Sequence, residues 1–150
     1  MSITTDSSST IVVKILLTGA SGFLGQHFLH SFVRYNAKRD FAENSVKYHI
    51  TALYHTASQD FVTAAQALSS DKVQISCQKC NLVEYNPAAD EVYDVCLHTA
   101  AMANIRACQN NPELAKAINV PTSFFQAINK KIPMIVALST DQVYDGKQQQ

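Results

Sequence analysis

The chain has 150 residues, of which 47% are apolar and 16% charged, with four glycines and four prolines. That composition suits one globular domain and excludes a disordered or fibrous chain. Lys plus Arg and Asp plus Glu each number 12, so the formal charge is zero. Nothing in that balance favours nucleic acid or an anionic membrane as a partner.

Met1 to Thr10 is rich in Ser and Thr and lacks a basic stretch followed by an apolar core. It reads as a short flexible tail rather than a signal peptide, ahead of a domain over 11–150. Ile11 to Leu17 is a dense apolar run, β-branched at Ile11, Val12, Val13 and Ile15, which fits a strand buried on both faces. A glycine turn follows. Leu24, Phe28, Phe32 and Tyr35 then recur at helical spacing and predict a helix from about Phe23 to Ala37. Arg39 to Ser45 is a polar link. Tyr48 to Leu53 predicts a second strand, Asp60 to Leu68 a helix and Val73 to Cys77 a third strand.

After a loop containing Asn86-Pro87, a fourth strand falls within Val92 to Thr99. One helix is expected from about Pro112 to Lys130, capped by Asn111, with Leu114, Ala117, Ile118, Phe125 and Ile128 toward the sheet. Pro121 removes an N–H inside it and predicts a kink. Met134 to Leu138 predicts a fifth strand, expected to lie apolar and uncovered at the end of the sheet and so to invite self-association. The alternation predicts an α/β fold: a Rossmann-like three-layer α-β-α sandwich on a parallel sheet, its second half incomplete. No apolar stretch reaches the roughly 20 residues needed to span a bilayer. With Cys77, Cys80, Cys96 and Cys108 read as reduced thiols, the expectation is a cytoplasmic protein.

Gly19, Gly22 and Gly25 stand three apart between a buried strand and an amphipathic helix. Such a turn brings backbone N–H groups and the helix dipole to bear on a pyrophosphate, with the middle glycine permitting close approach. The segment Leu17-Thr18-Gly19-Ala20-Ser21-Gly22-Phe23-Leu24-Gly25 resembles the opening of the extended short-chain dehydrogenase/reductase (NAD-dependent epimerase/dehydratase) family. Asp94-Val95-Cys96-Leu97-His98-Thr99-Ala100-Ala101 is similar to the family's fourth-strand motif, and Asn119 to its structural Asn. Leu138-Ser139-Thr140-Asp141-Gln142-Val143-Tyr144-Asp145-Gly146 resembles the fifth-strand signature of the dTDP-4-dehydrorhamnose reductase branch. The resemblance covers about Val13 to Gly146.

The resemblance implies the NAD(P)-binding portion of a sugar-nucleotide reductase. The alternatives are a nucleotide-sugar epimerase/dehydratase fragment and a non-catalytic dinucleotide-binding or regulatory module, since the same branch holds the regulatory beta subunit of methionine adenosyltransferase. The cofactor-binding residues it implies are Gly19, Ser21, Gly22, Phe23, Leu24, Tyr54, Asn81, Leu82, Thr99, Ala100, Ala101 and Asn119. Thr140 matches the Ser/Thr whose hydroxyl orients a substrate carbonyl. His98 stands where the family usually has Asn and reads as a pocket-wall or core histidine rather than a base.

Tyr54 occupies the place of the acid that accepts the ribose hydroxyls of NAD. Its absence removes a repulsion against a 2′-phosphate, although no Arg or Lys takes its place, so the expected cofactor is NADP or NAD. The family's Tyr-x-x-x-Lys proton donor lacks a counterpart: Tyr144 and Lys147 are three apart and belong to the preceding motif, and Tyr35 and Lys38 lie on the first helix. The chain therefore reads as truncated and inactive alone. A full-length relative would take a nucleotide-sugar. Cys77-x-x-Cys80 has the spacing of half a zinc site but no second ligand pair, so no metal is expected.

Overall fold

The computed structural model describes residues 10–38, 46–88 and 90–140. The tail over 1–9, the polar link over 39–45 and the end of the fifth-strand motif, Asp141 to Gly146, lie outside the described residues, as does Lys147. The elements in chain order are β1 (Ile11–Thr18), α1 (Phe23–Ala37), β2 (Val46–Tyr54), α2 (Gln59–Ala67), β3 (Val73–Lys79), β4 (Val95–His98), α3 (Ile105–Asn110), α4 (Pro112–Asn119), α5 (Thr122–Ile128) and β5 (Met134–Ala137). The strands form one five-stranded sheet in the order β3-β2-β1-β4-β5, and every neighbouring pair is parallel. This is the expected three-layer Rossmann-like fold.

Alternation along β1 and β2 separates two cores. Ile15, Leu17, Ile50 and Ala52 pack with Leu29 of α1 and Ala65 of α2 on one face. Leu16, Leu53 and Cys96 pack with Phe124 and Ile128 of α5 on the other. Among the described residues, the return from β3 to β4 carries no helix. Its loop instead packs Cys80, Leu82, Tyr85 and Tyr93 into the second core, and the Lys131 ammonium donates to the carbonyls of Pro87 and Ala88. No helix of the described residues is long and apolar enough to cross a membrane.

Several expectations change. β1 is not buried along its whole length. Ile11 and Val12 are exposed because β1 pairs with β4 only from Ile15 to Thr18. α1 has the predicted span, but its buried stripe runs through Gly25, Leu29 and Asn36, while Leu24 and Tyr35 are exposed. Asn36 is buried because its amide donates to the carbonyl of Phe32 at 2.9 Å. The single helix expected over 112–130 is two pieces, α4 and α5, broken at Pro121, and an unforeseen α3 precedes them. Asn111 sits at the N-terminus of α4 without a side-chain capping bond, and Pro112 takes the first turn. Leu114 is exposed, and Phe124, not Phe125, is the residue fully sequestered from water.

Candidate dinucleotide site

In a parallel sheet all strands point their carboxyl ends to one edge, and a crevice opens where successive connections leave in opposite directions. Here that switch lies between β1 and β4. Gly19, directly after β1, has φ +67°, and a Cβ there would meet the Ala100 backbone at 2.6 Å and Thr99 at 2.9 Å. A side chain at Gly25 would collide with the Gly19 carbonyl oxygen and with Ala20 Cα at 2.7 Å. Both glycines are demanded by the fold itself.

Gly22 differs. A Cβ there would meet only the Gly19 carbonyl oxygen, at 3.2 Å. The residue is exposed at the N-terminus of α1, which has neither a side-chain cap nor an acid in its first turn. Helix geometry leaves the first N–H groups without intrahelical partners, and those of Phe23, Leu24 and Gly25 meet no acceptor among the described residues. The turn is held in place by other bonds: Gly22 N–H to the Gly19 carbonyl at 2.9 Å, and Gln26 Nε2 to the Ser21 carbonyl at 2.7 Å. This set of donors at a helix N-terminus fits an anion.

Neighbouring strand ends are tied to the turn. Ala20 N–H donates to the Leu53 carbonyl at 3.0 Å, and the Ser21 hydroxyl donates to the Thr56 carbonyl at 3.1 Å. Tyr54, at the end of β2, packs edge-on against Phe61 with ring centres 5.8 Å apart. The next residues are His55, Thr56, Ala57 and Ser58, and the first acid is Asp60 in the opening turn of α2. Thr99 and Ala100 are half-buried and Ala101 is exposed. The two amide atoms of Asn119 bracket the Met102 backbone: Nδ2 donates to its carbonyl at 3.2 Å and Oδ1 accepts from its N–H at 2.7 Å. Asn119 thus shapes the loop after β4.

The structure brings Gly19 to Leu24, Tyr54 and Thr99 to Ala101 together at one edge. Asn81 is exposed past β3 and caps its own turn through Val83 N–H, whereas the Leu82 side chain goes into the second core. Thr140 is exposed beyond β5. His98 is 6% exposed and lies beside Phe124 and Phe125, and burial pushes its pKa down. It is a core histidine, as expected. Burial raises the thiols of Cys77 and Cys80, the latter also through Glu91 and Glu84, so neither is activated as a thiolate. Thr18, absent from the sequence candidates, carries several bonds that hold the edge, and its only sequence signal is its place immediately before the turn.

Solved structures share this fold. The chain is similar to UDP-glucose-4-epimerase from Stenotrophomonas maltophila with bound NAD and formylated UDP-arabinopyranose, at TM-score 0.64 and 17% identity over 88% of this chain and 38% of that one. It is similar to UDP-glucuronic acid 4-epimerase from Bacillus cereus in complex with NAD, at TM-score 0.60 and 23% identity over 91% and 43%. The same holds for UDP-N-acetylglucosamine 4-epimerase from Methanobrevibacter ruminantium M1 in complex with UDP-N-acetylmuramic acid, at TM-score 0.60 and 18% identity over 93% and 43%. The chain therefore spans about two fifths of the length of these proteins. The likeness to these structures is one of fold. No curated protein matches the chain. Residues 15–147 match the model of the family described as polysaccharide biosynthesis protein, and the chain belongs to that family.

Proposed function

We propose that this chain is the NAD(P)-binding portion of a nucleotide-sugar-modifying enzyme of the epimerase/dehydratase kind. Gly22 carries the reading. The fold needs Gly19 and Gly25 for its own packing, but it leaves Gly22 open above unengaged N–H groups, which is where a pyrophosphate requires a missing side chain. The α1 N-terminus would hold the pyrophosphate, the polar loop from Tyr54 to Ser58 the adenosine ribose, and Thr99 to Ala101 the nicotinamide side. The cofactor, when bound, supplies hydride transfer. Thr140 orients the sugar carbonyl.

The epimerase reading is favoured over the dTDP-4-dehydrorhamnose reductase type because the 4-epimerases named above share the fold and their structures hold NAD or sugar nucleotides. The reductase reading rests on the motif from Leu138, all of which follows β5. With no carboxylate between Tyr54 and Ser58, the site accepts NADP as well as NAD. Calorimetric titration of the chain with NAD and with NADP tests the proposal. Binding of both is expected, and Gly22→Val abolishes it while leaving the far-ultraviolet circular dichroism unchanged. Failure of the parent chain to bind either dinucleotide sinks the reading, and a clear preference for NAD alone removes its NADP part.

A further inference from the structure

The bonds around Thr18 lead inward to a buried histidine. The Thr18 carbonyl accepts from the Thr99 hydroxyl at 2.7 Å and from Thr99 N–H at 3.3 Å. The Thr18 hydroxyl oxygen accepts from Ala100 N–H at 3.3 Å and lies 2.9 Å from His98 Nδ1. Thr18 is wholly buried. With Ala100 N–H donating to that oxygen, its own proton has one acceptor among these partners, His98 Nδ1. With Nδ1 as that acceptor, the imidazole is neutral and carries its proton on Nε2. A buried polar group left without its partner loses far more than the bond gains, so His98 fixes the direction of the Thr18 hydroxyl. The hydroxyl in turn fixes Ala100, against whose backbone Gly19 is packed.

We infer that His98 is a positioning residue of the dinucleotide cradle, holding the Ala100 N–H and the Gly19 turn in register through the Thr18 hydroxyl. This rests on the dinucleotide reading above. The role is one of acceptor geometry rather than packing. An Asn at this position can place Oδ1 where Nδ1 stands, one bond beyond Cγ, so it preserves the clasp. An apolar residue between Phe124 and Phe125 packs well but leaves the Thr18 hydroxyl unanswered.

The test compares His98→Asn, His98→Leu and Thr18→Val by calorimetry with NAD and NADP, and by amide hydrogen exchange at Ala100 in the unliganded chain. His98→Asn is expected to bind within about threefold of the parent, and His98→Leu about tenfold more weakly, the scale of one buried hydrogen bond. Thr18→Val, which nearly conserves shape but also removes the acceptor of Ala100 N–H, loses at least as much as His98→Leu, and the two combined lose no more than Thr18→Val alone because His98 acts through that hydroxyl. Ala100 exchanges about tenfold faster in the Leu and Val variants, tracking the lost bond. Packing alone predicts the reverse ranking. If His98→Leu binds as well as the parent, or His98→Asn no better than His98→Leu, the inference is overturned. Should the parent bind no dinucleotide, the proposed function fails, and the Ala100 exchange ranking still decides the clasp. If His98→Leu does not fold, His98→Met against His98→Asn gives the same decision, only Asn placing an amide oxygen where Nδ1 stands.

Discussion

The two halves of the sheet are built differently. β1, β2 and β3 have eight, nine and seven residues, pair in register along most of their length, and are covered by the long α1 and by α2. β4 and β5 have four residues each and rest on the seven-residue α5 and a helix-free loop. Met134, Val136 and Leu138 remain exposed along and just past β5. The glycine turn belongs to the first half but is clasped by Thr99 and Ala100 of the second. A stable half therefore presents the anion-binding turn, and a slighter half sets its fine geometry.

The largest expected effect removes the join between the halves. Gly19→Ala forces a side chain into positive φ and into the Ala100 backbone. Strain and overpacking together cost about 4 kcal/mol, read as a fall in the urea midpoint or as an unfolded chain. Gly22→Ala, three residues on, is expected to cost about 1 kcal/mol or less, since its only close contact is one carbonyl oxygen. Equal losses at the two glycines would break the distinction on which the proposed site rests.

Phe124→Ala probes the second half alone. Its ring is fully buried against Tyr85, His98 and Phe125, and truncation is expected to cost about 3–4 kcal/mol. Hydrogen exchange should then rise in β4, β5 and α5 before β2 and β3. Uniform loosening of all five strands would show that the halves are one cooperative unit.

A smaller effect follows from His98. Burial lowers its pKa in the folded chain, so in acid the unfolded chain binds more protons. Its contribution to stability is complete above the ordinary histidine range, about pH 6.5, and is lost as pH falls toward the depressed folded value. Thermal melts between pH 7.5 and 5 should decline less steeply for His98→Asn than for the parent. The smallest effect concerns the β5 edge, where Val136→Lys changes stability by about 0.5 kcal/mol or less, as surface substitutions do. It should nonetheless abolish concentration-dependent self-association in size-exclusion chromatography. A parent chain that elutes as a monomer at every concentration would count against that edge as a contact between copies.

Much of the framework was legible from residue patterns. The β-branched run ahead of three spaced glycines located β1, the turn and the full length of α1. What periodicity could not supply was which side of an element meets a neighbour. Leu24 and Tyr35 keep helical spacing with Phe28 and Phe32, but they flank a stripe centred on Leu29 and lie outside it. Pro121 predicts a kink and is a break, because the carbonyls of Val120 and Pro121 accept from Thr122 and Phe125 in a separate turn. α3 carries little apolar periodicity, and its start is set by Asn104, whose side chain accepts from Ala107 N–H at 2.9 Å.

The sequence by itself determined the alternation of strands and helices, the place of the phosphate-type turn and the absence of an acid after β2, since these depend on local composition and spacing. Only the tertiary structure decided that Gly19 and Gly25 serve packing while Gly22 stays open, because that depends on how near Ala100 and Ala20 come in space. It also decided that Thr18 and His98, 80 positions apart, share one buried hydrogen bond at 2.9 Å. Parallel pairing of β1 with β4 makes them neighbours, and no local pattern in either segment announces the other.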